Sequence, residues 1–140
     1  LAVQLIAGAE QPWLPEKLME IGDWYLMIES MKRSGRAQTF TDEDFDRYRE
    51  AWSQRDAMTA MTNWYRSYVQ NRPKPPENWQ ITMPTRIIWG AKDKFLNAHM
   101  ATKSGTLCDD ADVIIIDEAT HWVQHDAPER VNSLLEGFLA

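Results

Sequence analysis

Cysteine is almost absent: Cys108 is the only one among 140 residues. That excludes an internal disulfide and any cysteine-built cluster. Cys108 itself is expected to be a small, semi-buried side chain. A reducing cytoplasm suits such a chain and is the expected location. No apolar run approaches the ~20 residues of a membrane helix, and no signal-peptide pattern is present, so no membrane association is expected. Clustered basic residues are also missing. Arg33 and Arg36 make no patch, and the formal net charge is −6. Nucleic acid, which needs grouped Lys and Arg, is therefore not an expected partner. There is no Gly-rich phosphate loop. Of the three histidines, His121 and His125 lack the glutamate that a helical zinc motif places after the first, and His99 has no motif around it. No cofactor and no metal are expected.

What is present is an ordinary globular composition, 44% hydrophobic and 26% charged. One domain is the default at this length. Seven Trp are many for 140 residues and are expected in packing positions. Leu1 to Ile6 reads as a buried strand ended by Gly8, and Gln11-Pro12-Trp13-Leu14-Pro15 as a turn-rich exit. Leu18 to Met31 reads as a helix that Gly22 weakens, with Ser34-Gly35 as its end. Thr41 caps a second helix whose first turn is acidic, with Phe45, Tyr48 and Trp52 on one face. A third helix is predicted over Ala57 to Val69, with Met58, Met61, Tyr65 and Tyr68 on one face and Trp64 beside them. Arg72-Pro73-Lys74-Pro75-Pro76 cannot continue it.

The second half follows a strand, helix, strand, helix order, the pattern of a parallel sheet. Thr85 to Trp89 is a strand closed by Gly90, Asn97 to Leu107 a short helix, and Val113 to Ile116 a strand. Val131, Leu134, Leu135, Phe138 and Leu139 form one helical face, and Pro128 suits its first turn. Asp93 and His121 therefore each lie in a loop just past a strand, where α/β proteins gather catalytic groups. An acid and then a histidine in that order are two thirds of a hydrolase triad whose nucleophile comes first. His121 is the candidate general base, since histidine titrates near neutral pH. Asp93 is the candidate acid that orients it, with Asp117 and Glu118 as rivals too close to the histidine in sequence. His125, one helical turn further on, is expected to face solvent.

These residues carry a resemblance. "MPTRIIWGAKDKFL" followed by "VIIIDEATHWVQHDAPERVNSLLEGFL" resembles the C-terminal end of an α/β-hydrolase, in the epoxide hydrolase and haloalkane dehalogenase branch. "TFTDEDFDRYREAWSQRDAMTAMTNWYRSYVQ" resembles that branch's helical cap. The implied fold is α/β: the C-terminal part of an α/β-hydrolase sheet, residues 1–13 and 79–140, with a cap at 14–78. Nothing here matches G-x-S-x-G, its aspartate counterpart or a His-Gly oxyanion motif, so the nucleophile is not in this chain. The resemblance implies the C-terminal part of a longer enzyme, inactive alone and dependent on an N-terminal half.

The implied activity is addition of water to a small apolar epoxide through a covalent ester. His121 would activate the water, with Asp93 behind it. Tyr65, in Asn63-Trp64-Tyr65-Arg66, matches the branch's cap tyrosine and would donate to the opening oxygen, since a phenol stays protonated at pH 7. Tyr25, in Asp23-Trp24-Tyr25, matches the second tyrosine. There the usual aromatic-Gln-x-Pro-Gly pattern is replaced by Glu29-Ser30-Met31-Lys32. Trp64 and Trp122 would line the substrate pocket. Thr120 stands where the superfamily usually has Gly, a poor exchange if the position needs φ > 0. The alternatives are dehalogenase chemistry of the same branch, or a non-catalytic fragment or binding module. A homo-oligomer is compatible with the sequence.

Overall fold

The computed structural model describes residues 13–71 and 74–140. The expected strand at Leu1–Ile6, its end at Gly8, Gln11-Pro12 of the turn and Arg72-Pro73 of the proline-rich boundary lie outside them. The chain forms two compact units, Leu1–Ser30 with Thr41–Pro75, and Met31–Phe40 with Pro76–Ala140. Among the described residues no helix is long and apolar enough to cross a membrane.

The first unit is helical. Helix α1, Leu14–Ser34, starts earlier than its periodicity suggested, because Pro15 is accommodated in the first turn, where an N–H has no partner to lose. It is not continuous. Gly22, Asp23 and Trp24 take left-handed φ values of 66°, 56° and 64°. Such a conformation costs roughly 1–2 kcal/mol at each non-glycine residue. Burial of Trp24 offsets it: the ring packs 5.7 Å from Trp52 and its Nε1 donates to Ser53 Oγ at 3.2 Å. A buried aromatic contributes about 1.5–3 kcal/mol.

Helix α2, Asp42–Trp52, has the predicted cap. Asp44 N–H donates to Thr41 Oγ1 while Thr41 N–H donates to Asp44 Oδ2, a reciprocal capping box. Phe45 and Trp52 are its buried residues. Helix α3, Ala57–Gln70, buries Met58 and Thr62, not the whole Met58-Met61-Tyr65-Tyr68 stripe; the last three are exposed. The reason is polar. Arg66, one turn beyond Thr62, grips the buried Glu16 at 2.6 and 3.0 Å, and Thr62 Oγ1 donates to the same carboxylate at 2.7 Å. Thr62 and Arg66 of α3 therefore face Glu16 of α1.

In the second unit, strands β1 (Thr85–Gly90) and β2 (Ala111–Ile116) pair in parallel, with Ile88 opposite Ile114 and Gly90 opposite Ile116. Helix α4, His99–Gly105, connects them; Ala101 is its buried residue, while Met100 is exposed. After β2 come the short helix α5, Val123–Asp126, and helix α6, Pro128–Leu139. Ile116, Ala119 and Val131 form a core, flanked by Ile88, Ile114, Val123 and Ala127. Arg86 fastens α6 from β1: it pairs with Asp112, donates to the Leu134 carbonyl and lies over the Phe138 ring. Both loops that follow the strands emerge at the same end of this two-stranded sheet.

Candidate active site

Gly90 decides how closely those two loops run. A Cβ on it would stand 2.1 Å from the Thr120 carbonyl oxygen and 2.6 Å from that of Ala119. Beyond this crossing the loops are joined by backbone bonds, Ala91 N–H to Ile116 O (3.0 Å) and Lys92 N–H to Ala119 O (2.9 Å). Asp93 and His121 are thereby brought face to face.

His121 Nδ1 lies 2.9 Å from Asp93 Oδ2. The two oxygens of Asp93 divide their work. Oδ1 accepts the backbone N–H groups of Phe95 (2.8 Å) and Leu96 (3.0 Å), and Oδ2 is left for the histidine. Burial alone would push this carboxyl up. The His121 hydrogen bond, the two N–H donors and the nearby imidazole outweigh it and hold Asp93 below the usual carboxylate range. An ionised carboxylate can only accept, so Nδ1 carries a proton, and in the neutral ring this leaves the lone pair on Nε2. Lys94 leaves Asp93 for the Arg33 carbonyl at 2.7 Å. Asp93 has a side chain only 5% exposed, against 37% for His121. The acid is sheltered and the base accessible. The edges and faces of Phe95 and Trp122, at 5.0 and 5.5 Å and nearly perpendicular, bracket the imidazole.

Thr120 does not have positive φ. It is buried, and both its N–H and its hydroxyl donate to Asp126 Oδ2 at 2.6 Å. Asp126 Oδ1 accepts Thr39 Oγ1 at 2.5 Å and Arg36 Nε at 3.2 Å. Burial again opposes ionisation, yet the Thr120 and Thr39 hydrogen bonds and the Arg36 charge keep Asp126 below its ordinary value. Trp122 Nε1 donates to Ser34 Oγ at 2.9 Å, and its ring meets Phe40 at 5.0 Å. His125 does not face solvent as its spacing suggested. It is partly buried with its ring 4.9 Å from Phe40, because the 31–40 segment covers it. The parts played by Asp126, Phe95, Arg36 and Thr39 were not legible from the chain order. Arg36 and Thr39 meet Asp126 across nearly ninety residues.

Tyr65 and Tyr25 belong to the other unit. Tyr65, on α3, is 39% exposed and meets Trp64 in a perpendicular contact at 5.3 Å; Trp64 is 72% exposed. Tyr25 follows the left-handed break in α1 and is exposed. Among the described residues no group of three or more His, Cys, Asp and Glu side chains is arranged to hold a metal ion.

A family model for the α/β hydrolase fold matches residues 5–128. The AB hydrolase superfamily protein YfhM of Bacillus subtilis (strain 168) is 37% identical over 134 residues, covering 96% of this chain and 46% of that protein. Epoxide hydrolase 2 of Caenorhabditis elegans is 35% identical over 136 residues, covering 93% of this chain and 38% of that protein. The chain thus spans less than half the length of these relatives. The crystal structure of a Bacillus megaterium epoxide hydrolase in complex with an inhibitor superposes with a TM-score of 0.73 at 21% identity, over 99% of this chain and 51% of that one. With the strand-end loops, their histidine and acid, and this match over most of its length, the chain belongs to the α/β hydrolase fold family.

Proposed function

We propose that this chain supplies the base, the orienting acid and a helical cap to an enzyme that adds water to an apolar epoxide. The observation that carries the reading is the 2.9 Å contact between His121 Nδ1 and a sheltered, ionised Asp93. Such a pair fixes the tautomer with Nε2 free to take a proton from water, and the carboxylate stabilises the imidazolium that results. Water activated in this way would hydrolyse a covalent ester on a carboxylate nucleophile, which this chain does not contain. Tyr65, exposed on α3, and Tyr25 are the proposed donors to the oxygen released when the ring opens. Trp64 and Trp122 are the proposed apolar contacts of the substrate. The names of the epoxide hydrolase relatives support this choice of substrate.

The test joins this chain to the N-terminal half of such a relative and assays diol formation from an aryl epoxide. His121→Gln is expected to lose activity by about 10²–10⁴-fold and to accumulate the ester. Tyr65→Phe is expected to lose about 10²-fold, as for removal of one oxyanion donor. Undiminished diol formation in His121→Gln would overturn the assignment. Halide release from haloalkanes, with no diol, would replace the substrate class.

A further inference from the structure

We infer that Asp126 is a positioning residue for His121: its buried carboxylate fixes Thr120, the residue before the imidazole, and braces it against the 31–40 segment. The inference rests on the reading of His121 as the base. The Asp126 side chain is 0% exposed. Two donors reach each oxygen: Thr39 Oγ1 and Arg36 Nε on Oδ1, the Thr120 hydroxyl and N–H on Oδ2. Arg36 also reaches the Asp126 carbonyl at 2.6 Å, and Arg36 N–H donates to Thr39 Oγ1 at 2.6 Å. Charge-assisted bonds of this length are among the stronger ones a protein makes. With both oxygens saturated, the carboxylate has one orientation, and it holds the Ala119–Thr120 peptide N–H and the Thr120 hydroxyl, both on the residue that precedes His121.

The brace is doubled. Trp122, the next residue, is tied to Ser34, and the Asp93 loop reaches the same segment through Lys94 and Arg33. Residues 31–40 therefore hold the histidine loop and the acid loop at once. An amide cannot replace this carboxylate. Thr120 and Thr39 hydroxyls can reverse their donors, but the Thr120 N–H and the Arg36 Nε–H cannot. One of the two must face an NH₂.

A role limited to stability would cost folded population and leave the His121–Asp93 pair unchanged in molecules that remain folded. A positioning role loosens the pair itself. The readout is the downfield Nδ1–H proton of His121 in ¹⁵N-labelled chain, with β1 and β2 amide dispersion as the control for folding. In Asp126→Asn that proton is expected to exchange about tenfold faster or more. Thr39→Val, which removes one donor without touching the histidine loop, is expected to move it in the same direction. Thr39→Ser, which keeps the hydroxyl, is expected to match wild type. A folded Asp126→Asn with wild-type exchange overturns the inference. If Asp126→Asn does not fold, equal exchange in the valine and serine variants overturns it. A wild-type chain lacking the proton would instead refute the His121–Asp93 pairing and the proposed function with it.

Discussion

Gly90→Ala tests the geometry most directly. The added methyl would sit 2.1, 2.6 and 2.7 Å from Thr120 O, Ala119 O and Ala119 C, all backbone atoms with no rotamer to relieve them. Reaching even 3.0 Å from the Thr120 oxygen requires a separation of about 0.9 Å more than the native crossing allows. The two backbone bonds between the loops resist it. Overpacking of this kind costs about 1–3 kcal/mol, and weakening one of those bonds adds about 1 kcal/mol. At roughly 3–5 °C per kcal/mol for a chain of this size, the second unit should melt on the order of 10 °C lower. Gly137→Ala is the control. Outside its chain neighbours and the backbone of its own helix, no atom of the described residues lies within 4 Å of its Cβ position, and it sits in α6. It should stabilise by about 0.5 kcal/mol through helix propensity. The assay is hydrogen exchange of β1 and β2 amides with thermal melting by circular dichroism. Equal melting of Gly90→Ala and wild type, with the His121 Nδ1–H proton retained, would refute the claim that a bare α-carbon sets the loop crossing.

Other outcomes are equally specific. Glu16→Gln leaves Arg66 facing a neutral amide in a site where both side chains are largely buried, and should cost about 3 kcal/mol in the first unit; unchanged urea midpoints would contradict this. Thr120→Gly removes a hydroxyl bond to a buried carboxylate and should destabilise by about 1.5–3 kcal/mol, although glycine is the residue the resemblance leads one to expect there. Glu16, Asp93 and Asp126 all have folded pKa values below their ordinary ones. Their stabilisation is therefore present above the unfolded values, about 4, and is lost as pH falls through the folded ones. A melting profile that declines below about pH 4, with a shallower decline in Asp126→Asn, is expected; a parallel decline would exclude Asp126 as a contributor.

The sequence carried the parts of the site that depend on local pattern. The apolar run Val113–Ile116, the stop at Gly90 and the helix opening at Pro128 suffice to put Asp93 and His121 in strand-end loops, and the parallel pairing of β1 with β2 agrees. The Thr41–Asp44 cap was equally local. What escaped was set by partners distant in the chain. His125 looked solvent-facing because Phe40 is remote in sequence. Met58, Met61, Tyr65 and Tyr68 share one face by spacing, but spacing gave no sign that only Met58 of the four is buried, because the Glu16–Arg66 pair is polar and leaves no periodic trace. Thr120 looked ill-suited because only the fold reveals that its backbone is unstrained and its hydroxyl engaged.

Residues 31–40 continue α1 by connectivity and belong to the second unit by contact. This has a consequence for recombination between relatives. A single breakpoint at 30/31 keeps Arg36, Thr39 and Asp126 of one parental origin, whereas one at 40/41 separates Asp126 from both of its distant donors. A breakpoint between 36 and 39 mixes parents within a single carboxylate's set of donors. Chimeras cut inside that decade or at 40/41 should fail more often than chimeras cut at 30/31, even when every substituted residue lies far from the histidine.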